Sequence, residues 1–286
     1  MTKKKKTILI LTIAAAILLL LLIWSIWSTT ALQLTGYTVQ SPELPDAFQG
    51  FRIAQISDLH NAEFGSDNEK LLSLLRSSQP DIIAITGDFI DSRRTDIAVA
   101  LAFAEEAVEI APCYYVTGNH ESRDKEAYAQ LKSGLLTLGV TVLENDRIPL
   151  ERDGETITIL GIQDPSFEAD HWRVMEADVV EKYLNPLSQE SGFSLLLSHR
   201  PEFMELYARY GIDLVLCGHV HGGQFRLPFL GGIFGPGQGF FPEYDGGLYE
   251  KADTQMIVSR GIGNSIIPLR FNNRPEVALI TLDNME

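Results

Sequence analysis

Five short polar clusters hold five of the six histidines in this chain, together with three aspartates and an asparagine. They are Asp58-Leu59-His60, Gly87-Asp88-Phe89-Ile90-Asp91, Gly118-Asn119-His120-Glu121, Ser198-His199-Arg200-Pro201 and Gly218-His219-Val220-His221; only His171 lies elsewhere. Carboxylates, an amide oxygen and imidazoles, with no thiolate among them, suit Mn, Fe, Zn or Ni. There are enough donors for two ions with a carboxylate shared between them. Two ions about 3.5–4 Å apart can clamp a phosphate and lower the pKa of a water held between them. One histidine then remains to donate a proton to a departing alkoxide. Singly, each cluster reads as an ordinary turn or cap; five in succession do not.

Every cluster stands where an apolar run stops. Phe51–Ser57, Asp81–Thr86, Cys113–Thr117, Phe193–Ser198 and Ile212–Cys217 read as buried strands, and glycines adjoin several of their ends. Helical spacing appears between them, over Asn68–Ser78, Thr95–Ile110, Lys125–Leu138 and His171–Leu184, with a further helix opened by Pro201. Strand–helix alternation of this kind predicts an α/β domain whose strand ends share one edge, where such domains hold their ligands. Val140–Leu143, Arg147–Glu151 and Thr156–Gly161 read as shorter strands with a hairpin turn at Asp153-Gly154. Gln255–Ser259 and Glu276–Leu282 read as closing strands. Residues 226–249 are rich in glycine, proline and aromatic residues, as expected of a loop that walls a site. Phe225, Phe229, Phe234, Phe240 and Phe241 either pack that loop internally or contact lipid.

The chain has 286 residues, 45% of them hydrophobic, and a net charge of −15. Without Lys3–Lys6 its 19 remaining basic residues face 38 acidic ones, a balance of −19. Such a surface excludes nucleic acid as a general partner, which needs a basic footprint. Cys113 and Cys217 sit in apolar runs with no CxxC pattern, and read as buried structural residues. From Ile8 to Trp27 there are 20 residues without charge. As a helix they span about 30 Å, a hydrocarbon core. Lys3–Lys6 stays cytoplasmic by the positive-inside rule, and Trp24 and Trp27 suit the far interface. The expected organisation is a basic tail (1–6), a transmembrane signal anchor (7–27), a tether (28–50) and one catalytic domain (51–286). A cleaved signal peptide ending near Thr29-Thr30-Ala31, which would make the protein secreted, is the competing reading.

The ordered set Asp-x-His, Gly-Asp-x-x-Asp, Gly-Asn-His-Glu, a lone His and Gly-His-x-His resembles the calcineurin-like metallophosphoesterase superfamily over about residues 51–282. Ser198–Glu202, Gly218–Gln224 and Ser259–Gly263 are similar to its bacterial membrane-associated phosphodiesterase branch. The resemblance implies a two-sheet β-sandwich flanked by helices. It implies two divalent ions, Mn first, with Asp58, His60 and His221 on one and Asn119, His199 and His219 on the other. Asp88 bridges them and His120 protonates the leaving group. Glu121 orients His120, Asp91 supports a ligand histidine or loop, and Arg200 contacts phosphate. The implied activity is hydrolysis of a phosphodiester or monoester by a hydroxide held on the ions; the anchor and the aromatic loop point to a lipid-linked or cell-envelope substrate. A nucleotide or sugar-nucleotide pyrophosphatase with the same site, and a silent metal-binding module, are the alternatives.

Overall fold

In a computed structural model, residues 2–169, 173–188, 192–264 and 267–284 are described; His171 lies outside them. Helix α1 (Lys3–Thr30) carries the apolar N-terminal run and is long and apolar enough to cross a membrane. The strands and helices that follow are β1 (Gln33–Ser41), β2 (Arg52–Ile56), α2 (Glu69–Ser78), β3 (Ile82–Thr86) and α3 (Ile97–Val108). Next come β4 (Cys113–Val116), α4 (Asn119–Arg123), α5 (Lys125–Thr137), β5 (Thr141–Val142), β6 (Asp146–Arg152) and β7 (Glu155–Gly161). The chain continues through α6 (Glu176–Leu187), β8 (Ser194–Leu197), α7 (Met204–Arg209) and β9 (Leu214–Cys217). Two small hairpins, β10 (Arg226–Leu227) with β11 (Gly231–Gly232) and β12 (Phe234–Gly235) with β13 (Gly239–Phe240), occupy the aromatic loop. Strands β14 (Gly247–Lys251), β15 (Thr254–Val258) and β16 (Glu276–Asn284) complete the fold.

Two six-stranded sheets form, in the orders β1-β16-β2-β3-β4-β5 and β14-β15-β9-β8-β7-β6. Their central strands read as unbroken apolar runs because both faces are covered. In β3, Ile82 and Ala84 point between the sheets, while Ile83 and Ile85 point outward to α2, α3 and α5. In β8 and β9, Leu195, Leu197, Leu214 and Leu216 meet them from the second sheet. Leu196, Val215 and Cys217 face the layer that holds α6 and α7. The result is the expected sandwich flanked by helices, and Cys113 and Cys217 are free and buried in separate sheets.

Parallel pairing of β2, β3 and β4 puts their C-terminal ends on one edge. The parallel run β7-β8-β9-β15 does the same in the second sheet. Strand β16 runs antiparallel to β2, and β1 runs parallel to β16, so both begin at the edge where β2 ends.

Strand β1 corrects the expected tether. Residues 33–41 pair with 276–284 over nine positions and bury Val39 in the inter-sheet core. Their polar composition suits an edge strand with one neighbour, and this hid them from the hydrophobic pattern. A fragment beginning at Gln33 is therefore expected to unfold cooperatively. One beginning at Phe51 bares the β16 edge, and its melting temperature is expected to fall by at least about 5 °C, as befits losing 1–2 kcal/mol or more. Equal melting curves by circular dichroism would show β1 to be dispensable.

Candidate metal centre

The strand exits are tightly constrained. Asp58, His60, Asp88, His219 and His221 all have left-handed backbones, with φ of 54°, 47°, 50°, 72° and 49°. Asp, Asn and His tolerate this region better than most residues, but at a cost of about 1–3 kcal/mol each it persists only where neighbours enforce it. Backbone bonds from Asp58 N to Gly87 O (3.0 Å) and from His60 N to Asp88 O (3.1 Å) lock the first two loops together. Two glycines are needed for close approach. A Cβ on Gly118 would overlap the Asp88 carboxylate, and one on Gly218 would overlap Ser57 Oγ and the Asp58 carboxylate.

Besides His60, Asp91 and His120, which also converge, these loops bring together two buried groups that share no residue. Asp58, His60 and His221 form one, and Asp88, His199 and His219 the other, the donor atoms within each lying within 4.8 Å of one another. In the first, His60 Nε2 faces His221 Nε2 at 3.1 Å, with Asp58 Oδ1 3.4 Å from the latter. In the second, His219 Nδ1 faces His199 Nε2 at 3.2 Å. Asp88 Oδ2 faces both, 3.5 Å from His60 Nε2 and 3.3 Å from His199 Nε2. The Asn119 amide lies between His219 Nδ1 (2.8 Å) and the Arg123 guanidinium (3.1 and 3.2 Å), and its hydrogen bonds are satisfied with the NH2 toward His219 and the oxygen toward Arg123.

Burial holds His60 and His219 well below the ordinary imidazole range and also lowers His221, leaving all three neutral with lone pairs available. Arg200 adds to the effect on His219. Burial also opposes charge on His199, yet Asp88, assisted by Asp58 and Asp164, pushes its imidazolium up to about 10. Burial works against the Asp88 carboxylate too, but His199, His120 and His60 around it keep it well below the usual range. The donor set is therefore hard-to-borderline, buried and largely deprotonated, as divalent cations require. These residues fit a two-ion centre.

His120 lies beside both groups, its ring 4.5 Å from that of His60 and edge-on to it. Its Nδ1 accepts the Ser92 N–H at 3.0 Å, so the proton of the neutral ring belongs on Nε2. Asp91 Oδ1 stands 3.4 Å from Nδ1 and pairs with the ring once Nδ1 is protonated. Glu121 does not orient His120. Its carboxylate accepts the backbone N–H groups of Asp88, Phe89, Ile90 and Gly118 at 2.7–3.2 Å and so clamps the Asp88 loop. Burial and the charge of Asp88 push Glu121 up to about 7, while four N–H donors favour the ionised acceptor.

Arg200 does not present its guanidinium to a ligand. It is buried and held by Asp164 (2.6 and 3.2 Å), Glu202 (3.2 Å) and Glu176 (3.3 Å), with Nη1 3.3 Å from His219 Nε2. Three carboxylates and the loss of water make it a brace behind His219. Sequence reasoning passed over Asp164, although it follows strand β7 just as the other polar clusters follow theirs. It also passed over Arg93, Arg123, Gln224 and Ile267 as cleft residues, while Phe234 and Pro236 belong to the 226–249 loop expected to wall a site. These line a cleft of about 330 Å³ that opens onto Asp88, Asn119, His120, His219 and His221. No residue spacing marks such a wall, because its members come from separate loops.

A family model described as calcineurin-like phosphoesterase matches residues 51–223. The chain is 33% identical over 265 residues to the uncharacterized metallophosphoesterase YkuE of Bacillus subtilis (strain 168), covering 88% of this chain and 85% of that one. It is 29% identical over 242 residues to the phosphodiesterase YaeI of Escherichia coli (strain K12), covering 81% and 82%. Among solved structures, the sulfate thiohydrolase SoxB of Thermus thermophilus shares the fold. Its TM-score is 0.51 at 12% identity, over 84% of this chain and 57% of that chain.

The charge on His199 has a signature in the metal-free protein. Its folded pKa, raised to about 10, exceeds the unfolded value of about 6.5. Its pairing with Asp88 therefore contributes stability that is full below pH ~6.5 and is lost as pH rises toward 10. The buried neutral histidines act below that window. In excess chelator the melting temperature is expected to fall between pH 6.5 and 10, and His199→Gln is expected to flatten the slope. An identical slope in the variant would count against the pairing.

Proposed function

The chain belongs to the calcineurin-like phosphoesterase family, and from that premise we propose that it is a membrane-anchored phosphodiesterase with a two-ion centre, acting outside the cytoplasm. As a family member it is a metal-dependent phosphoester hydrolase. The observation that carries the finer reading is the pair of buried donor groups joined through Asp88 at one sheet edge. Asp58, His60 and His221 would hold one ion and Asn119, His199 and His219 the other, with Asp88 placed to serve both. Two divalent ions held there, Mn first (Fe, Zn and Ni suit the same donors), would supply phosphate clamping and a water activated near neutral pH.

The chain's own groups do the rest. To act as the acid, His120 must carry a proton on both nitrogens, Nδ1–H facing Asp91 Oδ1 at 3.4 Å; it gives the Nε2 proton to the leaving oxygen and is left neutral. Arg123 lines the cleft beside Asn119 and takes the phosphate-facing place expected of Arg200. Arg200 keeps His219 in position. The name of the phosphodiesterase relative supports a diester as the first substrate class to test. Helix α1 with Lys3–Lys6 at its start supports a cytoplasmic N-terminus and an external catalytic domain.

For the metal-stripped full chain in detergent, turnover of bis-p-nitrophenyl phosphate is expected to return on adding Mn. Asp88→Ala and His219→Ala are each expected to lower it by more than about 100-fold, beyond what losing a supporting group costs. Near-normal activity in both variants would refute the site. His120→Ala is expected to slow diesters with alkoxide leaving groups by about 10²–10⁴-fold. Loss on nitrophenolate esters is expected to stay within about tenfold, because that leaving group needs little protonation. Equal losses would remove His120 from the acid role.

A further inference from the structure

We propose that the sheet edge bearing the metal centre lies against the bilayer, and that the substrate is a phosphoester carrying a long alkyl chain within that membrane. The proposal rests on the phosphoesterase reading above and names its substrate class. Topology brings the membrane helix to the catalytic edge, since β1, which follows α1 directly, begins where β2 ends and where Asp58 follows.

Hydrogen bonds then fix the depth. Ser25 Oγ donates to Arg270 O at 2.8 Å, Arg270 N donates to Thr29 Oγ1 at 2.8 Å, and Asn272 N donates to Ser28 Oγ at 3.2 Å. The Arg274 guanidinium lies 4.9 Å from the centre of the Trp27 ring. Ser25 and Ser28 are the buried residues of α1, whose apolar side chains are exposed. Segment 270–274 is thereby held level with Trp24 and Trp27, where amphipathic rings mark the membrane interface.

From that level the cleft is one step away. Gln224 Nε2 donates to Ile267 O and Leu269 O at 2.8 and 2.7 Å, and Gln224 and Ile267 both line the cleft. Arg226 N donates to Phe271 O at 2.9 Å, which ties the aromatic hairpins to the same segment. Phe229, Leu230, Phe240 and Phe241 stand exposed on those hairpins, with Ile267 and Leu269 beside them, Phe229 wholly so at 107%. A water-facing surface rarely gathers so many large apolar side chains. The cleft itself is lined both by cationic residues, Arg93 and Arg123, and by apolar ones, Phe234, Pro236 and Ile267. A charged phosphate head on an alkyl tail matches that lining. Continuity with α1 selects lipid over a protein partner as the occupant of the exposed face.

Two measurements on the full chain test this, in vesicles of phosphatidylcholine and phosphatidylglycerol with Mn supplied. The first compares dodecyl and methyl p-nitrophenyl phosphate, which share the reacting diester and the leaving group. Wild type is expected to prefer the dodecyl ester. Phe234→Ser with Ile267→Ser is expected to lower the dodecyl-to-methyl ratio of kcat/KM by about tenfold or more, the effect of two buried methylenes. Partition of the esters into vesicles is common to both proteins and cancels. The second places a nitrobenzoxadiazole label on Phe240→Cys or Leu269→Cys, the native cysteines being buried. Doxyl lipids are expected to quench both labels but not one on Leu136→Cys, which is exposed at the end of α5 where the chain turns back toward the start of β5. An unchanged ratio, or unquenched labels at positions 240 and 269, would overturn the proposal while turnover of the methyl ester upheld the phosphoesterase. Turnover of neither ester by wild type would sink both.

Discussion

Asp88 is the point at which the two sheets agree on a common geometry. Its Oδ1 accepts the His120 N–H at 2.8 Å, and its Oδ2 faces His60 from the first sheet and His199 from the second. A buried carboxylate is costly unless it is surrounded by positive charge or donors. Here imidazoles converge on it from both layers, while Glu121 grips its own N–H and the next two. The left-handed turns at Asp58, His60, His219 and His221 are the backbone's concession to that convergence. The rest of the sandwich holds the loop ends at one height, so that these side chains meet without further movement.

Charge is layered outward from that centre. Arg200 sits behind His219 and is neutralised by Asp164, Glu176 and Glu202, so a cation is buried without facing the cleft. Removing one partner of such a network leaves an uncompensated charge, whereas the complete set holds a histidine in place. The chain as a whole is strongly acidic, yet Arg93 and Arg123 line the cleft. An acidic protein can thus receive an anionic ester, because the charges that matter are local.

Much of this was legible in the sequence because the signals were physical. Two-sided burial made β3, β8 and β9 unbroken apolar runs, and polar residues can begin only where those runs stop. The donors that the pattern picked out, Asp58, His60, Asp88, Asn119, His199, His219 and His221, are the ones the fold brings together. What pattern could not supply was pairing across distance. Gln33–Ser41 looked like a tether because its partner lies about 240 residues further on. Arg200 looked like a ligand contact because Asp164 and Glu176 reach it from other elements. Glu121 was read as a support for its neighbour His120, but the chain turns so that its carboxylate serves residues 88–90 instead.

The long-range pairing of β1 with β16 has a temporal meaning. Strand β1 emerges among the first segments of the chain, yet its one sheet neighbour is made only when residues 276–284 appear. Strand β16 also separates β1 from β2, so the first sheet cannot close until residues 276–284 have been synthesised. The first sheet therefore forms with its earliest strand waiting for its latest.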